Sequence, residues 1–137
     1  MNTSNTKDII DGEHLIAQIY DINLINETVF PTPGSNEMQF GVGLNKEKKT
    51  LKTHIHKRVK RQLKHTSEFL YVIQGYMKID IYNEKEEIVK KIKLKPGMAL
   101  LQFFGGHSIE LGADTKYFEI KQGPYLGQND DKYFIEE

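Results

Sequence analysis

His54 and His56, with a single residue between them, are the sharpest chemical signal in this chain. On a β-strand, side chains two apart leave the same face with Cα atoms about 6.6–7 Å apart. Two imidazoles so placed can converge on one metal ion at about 2.0–2.1 Å each. Two solvent-exposed histidines on an edge strand are the other reading of the pair. Glu68 opens a second stretch, EFLYVIQG, in which a carboxylate is followed by six residues and then Gly75. Pro96-Gly97 opens a third, which Gly105-Gly106-His107 closes. The chain has no cysteine, so any metal must sit on imidazole and carboxylate.

Two further groups of polar residues point to ligand binding. Lys57, Arg58, Lys60, Arg61 and Lys64 put five positive charges within eight residues. Such a cluster can hold a carboxylate or a diphosphate, with arginine as the bidentate partner, and Arg61 is the candidate. A solvated loop that offsets the acidic stretch Glu84–Glu87 is the alternative. Near the C-terminus, Glu119 and Lys121 share a strand face with Tyr117, opposite Phe118 and Ile120. That face either lines a pocket or meets solvent.

These residues must be positioned by strands, because the recurrent period is two. An opening strand or pair of strands is expected over Leu15–Leu24. Met38, Phe40, Val42 and Leu44 alternate with Gln39, Gly41 and Gly43, a strand pattern, after the loop PTPGSN at 31–36. Leu51–His56 predicts a strand with Leu51, Thr53 and Ile55 on one face and Lys52, His54 and His56 on the other. Strands follow over Glu68–Gln74, Met77–Tyr82, Ile88–Leu94 and Met98–Phe104, through His107, Ile109 and Leu111, and over Tyr117–Lys121. Helix signals are nearly absent. Residues 1–12 are polar and read as a flexible N-terminus, and 13–137 as one domain. Short, closely spaced strands joined by turns predict an all-β sandwich or barrel.

Taken together, His54-x-His56, Glu68 with six residues before Gly75, and Pro96-Gly97 followed by Gly105-Gly106-His107 resemble the two motifs of the cupin superfamily, over roughly residues 38–121. The resemblance implies a double-stranded β-helix, or jelly-roll barrel. It also implies a divalent metal (Fe, Mn, Ni, Co or Zn) on His54, His56, Glu68 and His107. Eleven residues, Lys57 to Ser67, separate His56 from Glu68, longer than the family's usual interval. This extra length makes His65 an alternative to Glu68. In such a barrel the basic loop with Arg61 would lie at the mouth, and Glu119 and Lys121 would line the pocket. A homodimer is the family expectation.

The bulk composition bounds the rest. Nineteen basic residues balance nineteen acidic ones in 137, with 38% hydrophobic and 28% charged residues, so no global field draws the chain to nucleic acid or an anionic membrane. The N-terminus lacks a signal-peptide pattern, no run is long enough to span a bilayer, and the expected compartment is the cytoplasm. The sequence therefore points to a metal-binding protein acting on a small, anionic, polar molecule. The length, the basic loop and the ending GPYLGQNDDKYFI resemble small cupins of cell-surface polysaccharide biosynthesis, whose substrates are sugars or nucleotide sugars. An isomerase or epimerase is the enzyme class considered. The alternatives are a metal-free nucleotide-sugar ketoisomerase or epimerase that uses the paired histidines as acid and base, and a non-catalytic binding module.

Overall fold

Alternating apolar and polar side chains build eight strands in the computed structural model, which describes residues 5–136. These are β1 (Thr6–Asp11), β2 (His14–Asp21), β3 (Glu68–Gln74), β4 (Met77–Tyr82), β5 (Ile88–Leu94), β6 (Met98–Gln102), β7 (Gly106–Leu111) and β8 (Lys116–Lys121). One 3-10 turn, Ile22–Leu24, and one helical turn, α1 (Gln128–Asp131), complete the regular structure. The strands form a five-stranded sheet in the order β1-β2-β6-β3-β8 and a three-stranded sheet in the order β5-β4-β7. Every pairing is antiparallel, so the fold is nearly all β.

The period of two decides which side chains meet between the sheets. Ile16, Ile19, Leu70, Val72 and Leu100 of the larger sheet pack with Met77, Ile79, Ile81 and Leu94 of the smaller one. The other face of the larger sheet carries Tyr20, Phe69, Ala99, Leu101 and Phe103, covered in part by Met38 and Phe40. Phe40 stacks on Tyr20 at 4.0 Å and on Phe69 at 5.3 Å between ring centroids. Tight turns join the strands. Gly75 turns β3 into β4 with φ +81°, and a side chain there would press on Thr115.

The two sheets do not close evenly. β1 lies against β5, so one side of the sandwich is shut. On the other side β7 and β8 are both edge strands. β7 sets His107, Ile109 and Leu111 opposite Ile81, Ile79 and Met77, whose side chains are wholly buried. Ile109 and Leu111 nevertheless stay 37% and 46% exposed, because among the described residues no strand flanks β7 on its outer side.

Four expectations are corrected. Residues 6–11, read as a flexible end, form β1 and bury Ile9 against β2, so the folded part begins before residue 13; residues 1–4 lie outside the described residues. Met38–Leu44 is not a strand. It makes one isolated bridge, Val42 with Val29, and its glycines at 41 and 43 contribute no side-chain contact to a ladder. Leu51–His56 is irregular and exposed throughout. Residues 45–64 hold nine basic residues and one acidic residue, and like-charge repulsion of that kind favours an extended, solvated backbone. The opening strand runs His14–Asp21, with the 3-10 turn replacing its expected end.

Leu100 is fully buried at the centre of the layer between the sheets. Leu100→Ala should cost about 2–5 kcal/mol of stability, measured by urea denaturation. A loss below about 1 kcal/mol would mean that this layer is not tightly packed.

Candidate functional site

Where the layer between the sheets runs out, polar side chains take over. Glu68 begins β3, paired with Gln102 of β6 on one side and Lys121 of β8 on the other. Glu119 lies two residues before Lys121 on the same face. His107 enters from the smaller sheet, and its Nε2 stands 3.6 Å from Glu68 Oε2. The side chains of His107 and Glu68 are only 25% and 20% exposed. The turn that delivers His107 depends on Gly105, with φ +87°, where a side chain would run into the carbonyl of Tyr82.

Burial controls the electrostatics here. It pushes the Glu68 carboxyl up to about 7, helped by a hydrogen bond and like charge from Glu119 and opposed by Lys121 and Lys132. Burial also lowers the His107 imidazole, against the pull of Glu119. Both groups are therefore driven toward their neutral forms, and their contact is not the ion pair that the distance alone suggests. Lys121 is held raised, chiefly by its hydrogen bond to Asp131, with Nζ to Oδ2 at 3.1 Å. The same ammonium lies 5.0 Å from the centre of the Tyr125 ring.

The structure thus brings Glu68, His107, Glu119 and Lys121 to one place. It sets the other candidates elsewhere. His54 and His56 lie on the exposed segment with ring centroids 5.2 Å apart, edge to face, and His54 Nδ1 is 2.9 Å from Lys52 O. Arg61 is exposed on the same segment. His65 packs on Phe104 at 5.1 Å, with Nδ1 3.7 Å from Glu37 and Nε2 4.0 Å from Glu84. Glu37 accepts hydrogen bonds from the amides of Lys64 and His65, and these hold its carboxyl low. That contact anchors the end of the basic segment. Among the described residues, no three His, Asp or Glu side chains are grouped to hold a metal.

Two functional neighbours have no obvious signature in the sequence. Gln102 touches His107, and its one clue is that it is the sole polar residue in the run MALLQFF. Asp131 grips Lys121 from α1, ten residues away, in a tail that looks featureless. A groove of about 550 Å³, lined by Met38, Phe40, Phe69, Tyr71, Phe118 and Ile120, lies on the opposite face of the larger sheet, away from Glu68. Among the described residues no helix is long and apolar enough to cross a membrane. Comparison with family models, characterised proteins and solved structures finds no match to this chain.

The raised Glu68 carboxyl fixes a pH dependence. The carboxyl ordinarily titrates near 4.5 and here near 7, so the folded chain binds more protons than the unfolded chain between those values. Stability therefore falls as pH rises through that window: the contribution is complete below it and lost above it. Glu68→Gln removes the charge and should gain stability on wild type as pH rises through the window, measured by urea denaturation in EDTA. A difference that stays constant with pH would refute burial of the carboxyl.

Proposed function

We propose that the chain is a cupin-type protein that binds one divalent metal and acts on a small anionic molecule of the sugar or nucleotide-sugar class, in cell-surface polysaccharide metabolism. The observation that carries this reading is the pair Glu68–His107: a carboxylate and an imidazole from opposed sheets, 3.6 Å apart and mostly buried. An oxygen and a nitrogen donor directed at each other fit Fe, Mn, Ni, Co or Zn chemically. The motif spacing adds His54 and His56 as the remaining ligands.

The finer fold follows the same logic. In this reading residues 51–56 add along the outer edge of β7. Three features support this. Residues 51–56 have strand periodicity, β7 has no partner on that side among the described residues, and Ile109 and Leu111 face the core yet stay open beside β7. An added strand would set His54 and His56 on one face, on the strand next to His107. Because a preformed four-ligand site is lacking, metal binding and strand addition are coupled.

In this reading the metal, when bound, supplies Lewis-acid polarisation of a substrate oxygen. The chain's own residues do the rest. Lys121, steered by Asp131, offers a positive charge beside Glu68 and Glu119. Arg61 and the neighbouring cations recruit the anionic part of the ligand. A homodimer is the assembly that accompanies the reading.

One observation favours a second reading, a metal-free isomerase. A carboxyl pushed up to about 7 beside a neutral imidazole is suited to proton transfer near neutral pH. In that case Glu68 and His107, rather than the exposed histidine pair, exchange the proton.

Metal content separates the two. Untagged protein analysed by mass spectrometry should carry close to one divalent ion per chain, and His56→Ala should strip it. Circular dichroism should change little, because His56 is exposed and outside both cores. Backbone amides of residues 51–56 should exchange more slowly with deuterium once metal is added. Less than about a tenth of an ion per wild-type chain would sink the metal reading and leave the proton-transfer one.

A further inference from the structure

Gln102 is 4% exposed, the last residue of β6, wedged between Ala17 of β2 and Glu68 of β3. A buried amide must satisfy both of its ends. Its Nε2 donates to two backbone carbonyls, Phe104 O at 3.1 Å and Gly106 O at 2.8 Å. Carbonyls only accept, so the amide cannot be turned the other way round. Its Oε1 therefore faces His107 Nδ1, at 2.8 Å. An amide oxygen only accepts, so Nδ1 must carry the proton. In the neutral ring the other nitrogen, Nε2, is then a bare lone pair, and Nε2 is the atom that faces Glu68.

We propose that Gln102 is a positioning residue that locks His107 in the Nδ1–H tautomer, so that the Nε2 lone pair is presented to the space shared with Glu68. The lock is built from backbone. The turn Phe103–Gly106 presents its carbonyls to Gln102, and Gly105 holds that turn in a conformation closed to other residues. Two acceptors, Nε2 and a carboxylate oxygen, then face each other, an arrangement that calls for a cation or a proton between them. Metal-ligating histidines commonly have their second nitrogen fixed in this way. The metal part of this inference rests on the reading of Glu68 and His107 as ligands. The tautomer rests on the hydrogen bonds alone.

The test uses the full chain, labelled with nitrogen-15, stripped with EDTA and held above the histidine titration range. Nitrogen chemical shifts should show His107 protonated at Nδ1 and bare at Nε2. Gln102→Leu removes the acceptor and should release the ring to a mixture of tautomers. Gln102→Glu keeps an acceptor oxygen toward Nδ1 in either protonation state, and should hold the wild-type tautomer. In parallel, Zn2+ titrated by calorimetry should bind Gln102→Leu about 10–100-fold more weakly than wild type, with Gln102→Glu recovering most of the loss. A proton on Nε2 in the wild type, or an unchanged single tautomer in Gln102→Leu, overturns the proposal. If Gln102→Leu does not fold, the wild-type and Gln102→Glu spectra decide it. Should Zn2+ fail to bind the wild type while the tautomer is as stated, the lock stands and only the metal reading falls.

Discussion

Met77, Ile79 and Ile81 on one sheet and Leu70, Val72 and Leu100 on the other are buried against each other, and the position of every polar group near them follows from that layer. The strands that supply these residues continue past its end. Glu68 is two residues before Leu70, Gln102 two after Leu100, and His107 sits opposite Ile81. All three therefore point into the same gap as the aliphatic residues, at its end. That is why a carboxyl, an imidazole and an amide share one partly buried volume. It is also why burial, rather than any partner charge, is the largest influence on Glu68 and His107.

Charge is distributed to match this geometry. Residues 45–64 hold nine of the nineteen basic residues and one of the nineteen acidic ones. The remaining chain has ten basic residues and eighteen acidic ones and is net negative by eight. Repulsion within the segment favours an extended, solvated backbone, while the body attracts it as a whole. Glu37 is the visible point of that attraction, holding the amides of Lys64 and His65 where the segment rejoins the sheet. At physiological ionic strength such attraction acts over only about 8 Å, so it recruits the segment without fixing a register.

Strands with a buried face were legible in the sequence, because their period of two survives wherever a core exists to read it. The expected bounds Glu68–Gln74, Met77–Tyr82 and Ile88–Leu94 coincide with the observed strands. β1 was not legible: TKDIID offers one well-buried apolar residue, Ile9, and its other contribution is backbone pairing with β2. The failure ran the other way at 38–44 and 51–56, where periodicity is present and no ladder is. Periodicity reports a face that is able to be buried. It does not report whether a partner edge is occupied or whether local charge resists docking. At the site, the acidic and imidazole groups announced themselves by type and spacing. Gln102 and Asp131 did not, because a positioning amide or a distant carboxylate is defined by what it touches.

The open edges beside β7 and β8 and the free segment are best understood as two sides of one balance. Ordering a residue into a strand costs about 1–2 kcal/mol of backbone freedom, and each new hydrogen bond contributes a net of about 0.5–1.5 kcal/mol. Strand addition on its own is therefore close to neutral or slightly unfavourable, and covering Ile109 and Leu111 adds only partial burial, since both are already more than half covered. Bringing cations toward the sheets adds a further cost unless an anion accompanies them. In the proposed reading, a divalent ion shared by residues on the segment and residues on the body would change the sign, because its binding energy is realised only when both are together. An anionic ligand on Arg61 and its neighbours, as proposed, would act in the same direction. On that proposal closure, metal and ligand would reinforce one another, and the gap between Glu68 and His107 is where the coupling would begin.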